Sequence, residues 1–157
     1  MIAPRTLGLL AALGSLGILA GAFAFQHLGG LAPCPMCLWQ RWPHAASGLV
    51  LAGLLIGLPM AAVASAGLLT MGISTGLGAF HSGVERGWWD GPQTCAAGSI
   101  DGLSTSDLLD QILEAPLIRC TDITWDFLGL SMANWNTAAS LVFMVLWAVS
   151  LRQALRD

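Results

Sequence analysis

Charge disappears from this chain in long blocks. No Asp, Glu, Lys or Arg occurs from Leu7 to Phe25, from Pro43 to Val84, or from Met132 to Leu151. A helix needs about 20 apolar residues to cross the hydrocarbon core of a bilayer. The first and last blocks suit one crossing each. The middle block is too long for one and right for two. Its break is Gly57-Leu58-Pro59, where Pro disfavours helix continuation and Gly loosens it. The pattern predicts spans at about 7–25, 43–58, 61–82 and 132–151, with connecting loops on one side at about 26–42 and 83–131. The expected fold class is all-α: a polytopic membrane protein, 1–157 forming a single membrane domain built as a four-helix transmembrane bundle. Ala22-Phe23-Ala24 offers a small-residue cleavage pattern, but the run before it exceeds the about 7–15 residues of a signal-peptide core, so it is read as a span.

Within the second loop, Ser104 and Asp107 have capping-box spacing, and Leu108, Leu109, Ile112 and Leu113 follow as one apolar stripe that Pro116 ends. This predicts a short amphipathic helix, lying in the membrane interface or packed on the bundle. Gly, Ala and Ser crowd the first three spans, as close helix packing in membranes requires. Six of the tryptophans (39, 42, 88, 89, 125 and 135) fall near span ends, the usual place for interface anchors.

Composition agrees. Of the 157 residues 55% are hydrophobic and 10% charged, where a soluble domain carries about 25% charge. A net charge of -3 supplies no basic face for nucleic acid. Arg5, Arg152 and Arg156 lie in short tails on one side, and Arg41, Arg86 and Arg119 in the loops on the other. Arginines packed into short tails favour those tails as cytoplasmic.

All four cysteines lie outside the apolar runs. Stable disulfides belong to oxidising spaces, which agrees with loops that face outward. Four cysteines allow three pairings, and spacing does not choose among them. Cys34-Pro35-Met36-Cys37 is a C-x-x-C pair, a form in which one thiol is usually activated. Arg41 stands one helical turn beyond Cys37, able to stabilise a thiolate or negative charge on an acceptor. No metal is expected. A second C-x-x-C pair is missing, and Leu38 after Cys37 excludes c-type haem attachment. Cys95 and Cys120 are either a loop staple or a second redox pair that exchanges with the first. His27, His44 and His81 each sit near a span end, and His81 and Glu85 share i, i+4 spacing.

Gln26-His27, Cys34-Pro35-Met36-Cys37 and Gln40-Arg41 resemble the first outer loop of the disulfide bond formation protein B (DsbB) family. The run from Cys120 through Trp125-Asp126-Phe127-Leu128-Gly129-Leu130-Ser131-Met132-Ala133-Asn134-Trp135 resembles that family's approach to its last helix. The resemblance implies a bacterial inner-membrane thiol:quinone oxidoreductase, with cytoplasmic termini and periplasmic cysteine loops. It implies a periplasmic DsbA-like thiol oxidase as partner and ubiquinone or menaquinone as cofactor. It further implies Cys37 as the quinone-proximal thiolate, Cys34 as its disulfide partner and Arg41 as a quinone ligand. Cys95 is then the site of the mixed disulfide, and Cys120 passes electrons to the first pair. His44 joins Cys37 and Arg41 in the expected cofactor-binding set. Two other readings compete: a structural or adhesion bundle with stapling disulfides, and an oxidoreductase like vitamin-K-epoxide reductase. The latter family carries its C-x-x-C late in the chain, whereas here it follows the first span.

Overall fold

A computed structural model gives the fold and describes residues 2–92, 95, 104, 106, 109, 113 and 118–156. Four long helices dominate the described residues: α1 Pro4–His27, α2 Pro35–Leu55, α3 Met60–Glu85 and α4 Met132–Ala154. A short antiparallel hairpin, β1 Asp126–Phe127 with β2 Leu130–Ser131, precedes α4. The membrane-protein fold expected from the charge pattern is present, and α1, α3 and α4 are each long and apolar enough to cross a bilayer.

Local chemistry sets the ends. Pro4 and Pro35 open α1 and α2, where a missing N–H costs nothing. Cys34 caps α2, its sulfur accepting from the Cys37 amide. Gly57 turns the chain between α2 and α3 at φ 81°. Leu128 and Gly129, both at positive φ, close the hairpin, and the Ser131 hydroxyl caps α4 by accepting from the Asn134 amide. Helix α2 begins at Pro35, whereas loss of charge alone puts the second span's start at Pro43. Cys37 and Arg41 therefore sit on the first turns of a helix rather than in a loop. Pro43 lies inside that helix. The interfacial helix expected from Ser104 falls largely outside the described residues, which omit Asp107, Leu108, Ile112 and Pro116. Leu109 and Leu113, which are described, are exposed.

The helices pack as a ring in chain order, most extensively α3 against α4, with α4 closing on α1. Small residues make this possible. The buried Trp147 ring of α4 lies across Gly67 of α3 and Gly8 of α1, and Ala11, Ala12, Ala64, Val63 and Met71 fill the space around it. Large aliphatic side chains such as Leu10, Leu13, Leu49, Leu69, Val142 and Val145 point outward. In a bilayer that outward face is solvated by acyl chains, so packing at the inside positions holds the helices together.

A Cβ on Gly67 stands 2.3 Å from Trp147 Cε2. Gly67→Ala should lower stability by about 1–3 kcal/mol through overpacking, read as a shift to lower detergent concentration in SDS-driven unfolding. A Cβ on Gly21 meets nothing within 4 Å, so Gly21→Ala should leave the midpoint unchanged or raise it.

Candidate redox site

The upper end of the bundle gathers both cysteine pairs. Cys34 holds the N-cap of α2 and Cys37 its first turn. Their sulfurs are free thiols 2.7 Å apart, with Cys34 donating to Cys37. That hydrogen bond, and after it burial, holds the Cys34 thiol far above its usual range. The same hydrogen bond lowers the Cys37 thiol below its usual range, so negative charge on the pair favours Cys37.

Cys95 and Cys120 are joined by a disulfide across a sequence separation of 25. The described structure thus settles the pairing that spacing left open. The bonded pair is buried in one cluster with Cys34, Met36 and Val84, and Cys37 and Ile118 pack against it. Close backbone approach makes room for it, since a Cβ on Gly91 would stand 3.4 Å from the Cys95 Cβ and 3.1 Å from Val84. All four cysteines, remote in sequence, share one packed neighbourhood.

Polar side chains from all four helices converge beneath the sulfurs. His81 Nε2 lies 3.6 Å from Cys34 Sγ and 3.9 Å from Glu85 Oε1. Its Nδ1 is 2.7 Å from Gln40 Nε2. Gln40 Oε1 accepts from Asn136 Nδ2 at 2.7 Å, and Asn136 Oδ1 lies 2.7 Å from His44 Nε2. His44 Nδ1 is 2.8 Å from the Ser15 hydroxyl, which donates to Ser47, and Ser74 links His44 to Ser140. Glu85 accepts a hydrogen bond from the Ser131 hydroxyl. The sequence marks His44, His81 and Glu85, and Gln40 as part of a motif, but gives no sign that Gln40 and Asn136 are partners. These two are 96 residues apart, and no local pattern links them.

A cavity of about 310 Å³ opens beside this network. Phe25, Trp125 and Trp135 form apolar walls, Gly17, Gly21 and Ala22 of α1 leave one side low, and Cys34, Cys37, Arg41, His44 and Asn136 contribute the polar lining. Arg41 does not hydrogen-bond to the sulfurs. Its guanidinium donates to Gln26 Oε1 at 2.6 Å and to the Ala22 carbonyl at 3.4 Å, and it lies 4.8 Å from the centre of the Phe23 ring. The expected cofactor-binding residues Cys37, Arg41 and His44 thus line one cavity. Both nitrogens of the His44 ring already have protein partners.

The chain is similar to known proteins over most of its length. The family profile described as disulfide bond formation protein DsbB matches residues 4–150. A protein of Polaromonas sp. (strain JS666 / ATCC BAA-500) named Disulfide bond formation protein B is 34% identical, over 96% of this chain and 94% of its own length. One of the same name from Dechloromonas aromatica (strain RCB) is 35% identical, over 88% and 86%. Another from Hahella chejuensis (strain KCTC 2396) is 28% identical, over 92% and 91%. No solved structure matches the chain.

Removing one buried amide orphans its neighbours. Gln40→Leu and Asn136→Leu should each destabilise by about 1–3 kcal/mol. Because the two side chains share a hydrogen bond, the double variant should cost less than the sum of the singles by at least about 0.5 kcal/mol. SDS unfolding of the four proteins measures this, and strict additivity would count against a connected network.

Proposed function

Because this chain belongs to the disulfide bond formation protein DsbB family, we propose that it is a thiol:quinone oxidoreductase. It takes electron pairs from a periplasmic DsbA-like thiol oxidase and passes them to ubiquinone or menaquinone in the bacterial inner membrane. One observation carries the reading. The Cys34–Cys37 pair opens onto an apolar cavity, and the Cys95–Cys120 disulfide is packed behind it in the same buried cluster.

The loop pair meets the soluble partner. A thiolate of the oxidase attacks Cys95, the Cys95–Cys120 bond breaks, and Cys120 leaves as a thiolate. The partner's second thiol then displaces Cys95 and the partner departs with its own disulfide. Cys120 next attacks Cys34 of the oxidised Cys34–Cys37 pair, whose bond breaks with Cys37 as the leaving thiolate. Cys95 then displaces Cys34 from Cys120. This restores the loop disulfide and leaves Cys34 and Cys37 as the reduced pair, the arrangement described above. Cys34 shares the buried cluster of the loop pair, and Cys37, only partly buried, packs against it.

The cavity fits a quinone. Its volume lies at the lower end of small-ligand sites, its walls are aromatic and apolar, and a few polar groups converge on it. A bound quinone supplies an acceptor for two electrons and two protons. Arg41 places positive charge at the cavity wall, held in position by Gln26 and the end of α1. His44 fixes Asn136 at the cavity floor, with its own nitrogens engaged by Ser15 and Asn136. His81 stands beside Cys34 to exchange the proton that sulfur must lose. The termini are cytoplasmic and the cysteine-bearing end periplasmic, in line with Arg5, Arg152 and Arg156 in the terminal tails.

Purified chain, ubiquinone and a reduced DsbA-like oxidase should give quinone reduction, followed by its absorbance. Cys37→Ser and Cys95→Ser should each lower turnover by at least about 1000-fold, since each removes a covalent step. Arg41→Gln should raise the KM for quinone about tenfold, or about 1.4 kcal/mol, without slowing mixed-disulfide formation at Cys95. Turnover that persists in both cysteine variants would refute the route. A reporter fused to the C-terminus should be active only as a cytoplasmic fusion.

A further inference from the structure

We infer that the reduced Cys34–Cys37 pair, together with His81 and Glu85, is a binding site for a thiophilic divalent cation of the zinc class. The occupied site holds the centre in its dithiol state and out of the electron-transfer cycle. Its regulatory meaning rests on the function proposed above, but the metal chemistry needs only the dithiol.

Distances come first. Cys34 Sγ, Cys37 Sγ and a ring nitrogen of His81 all lie within 4.8 Å of one another. Four donors around a tetrahedral zinc, with Zn–S about 2.3 Å and Zn–N about 2.1 Å, stand roughly 3.4–3.8 Å apart. His81 Nε2 is 3.6 Å from Cys34 Sγ, already at that spacing. Glu85 Oε1 is 3.9 Å from the same nitrogen. The two sulfurs, at 2.7 Å, must separate, and Glu85, which stands outside the group of three, must swing toward them to serve as the fourth donor. Rotation about the Cys37 Cα–Cβ bond separates the sulfurs, since Cys37 borders the cavity.

Donor chemistry points the same way. Two thiolates, an imidazole and a carboxylate form a set that zinc takes readily and that magnesium and calcium do not. The ligands also have outer partners of the kind that metal sites use. Gln40 faces His81 Nδ1, and when the Gln40 and Asn136 amides turn over together, Gln40 Oε1 accepts the Nδ1 proton while Gln40 Nε2 donates to Asn136, freeing His81 Nε2 for the metal. Ser131 donates to one oxygen of Glu85 and leaves Oε1 facing His81. Charge completes the argument. A doubly deprotonated pair beside Glu85 gathers negative charge in a poorly hydrated place, and the hydrogen bonds of Arg41 go to α1 instead. A divalent cation that replaces two thiol protons removes that excess. Glu85, on the cavity lining, places its carboxylate beside the donors.

The site is gated by redox state. A Cys34–Cys37 disulfide removes both thiolates, so the oxidised chain lacks it. A bound cation in turn occupies the sulfur lone pairs that electron transfer needs. Sequence reading excluded metal because no second C-x-x-C pair was present. The third ligand lies 47 residues from Cys34 and arrives through the packing of α3 against α2.

Cobalt(II) is the probe. Full-length chain in detergent, in a Cys95→Ser/Cys120→Ser background, is reduced, freed of reductant without air and titrated with Co²⁺. A thiolate-to-cobalt charge-transfer band and tetrahedral d–d bands should appear with one ion per chain, and Zn²⁺ should abolish them. His81→Ala should weaken binding by at least about 100-fold and Glu85→Gln about tenfold, as loss of a strong and a weaker ligand predict. Chain carrying the Cys34–Cys37 disulfide should show no band. Absence of the band in the reduced chain, or undiminished binding in His81→Ala or in the oxidised chain, would overturn the site. If the double-serine background does not fold, reduced wild type against Cys34→Ser makes the same comparison. Zn²⁺ should also slow quinone reduction by the reduced chain, and a chelator should restore it. Cobalt uptake without quinone reduction by metal-free chain sinks the proposed function alone. Quinone reduction without cobalt uptake sinks the metal site alone.

Discussion

A polar side chain inside a bilayer must find its partner within the protein, because the lipid offers none. This bundle answers that constraint with one connected chain of hydrogen bonds. It runs from Ser15, Ser47, Ser74 and Ser140 through His44, Asn136 and Gln40 to His81, beside Cys34. The chain touches all four helices. It therefore fixes their rotation about their own axes as well as their separation. Small residues bring the backbones close, but Gly and Ala alone leave the rotation weakly defined. The amide and imidazole pairs supply the missing specification, and the sulfur chemistry sits at the end of that chain.

The positions of the two cysteine pairs follow from this frame. Helix α2 is capped by the very residue that carries the buried thiol, so the pair is oriented by the start of the helix rather than by a free loop. Helix α3 presents His81, Val84 and Glu85 on its last turns, directly under the loop disulfide. The hairpin before α4 is tied back twice, by Ser131 to Glu85 and by the Trp135 indole donating to the Phe127 carbonyl. The aromatic contacts of Phe25 with Trp125, Trp125 with Phe127, and Phe127 with Trp135 continue that tie along the mouth of the cavity.

Much of the membrane fold was legible in the chain because burial in lipid is a one-dimensional signal. Uncharged blocks betray crossings whatever the helices touch. Cys34, Cys37 and Arg41 were legible because helical periodicity couples near neighbours. Cys95 and Cys120 read as a pair, whether staple or redox couple, but spacing leaves three pairings equivalent and packing makes the choice. The partnership of Gln40 with Asn136 was invisible for a different reason. Each reads as an ordinary polar residue near a span end, and only the apposition of α2 and α4 makes them partners. Helix α2 starts before the span expected from Pro43 because charge marks where lipid ends, whereas a helix continues until its backbone is capped. Cys34 and Pro35 do that two turns further out.

Arg41 is anchored by an amide oxygen, a backbone carbonyl and the face of a ring. Among the described residues no carboxylate lies within ion-pairing reach of it. Dipoles hold a guanidinium still without cancelling it. An aspartate in the place of Gln26 would fix the same side chain and silence its field. As built, the bundle keeps one positive charge free of a carboxylate ion pair at the edge of an apolar chamber, beside the Cys37 sulfur, so that an electron-rich visitor meets it without first breaking a salt bridge.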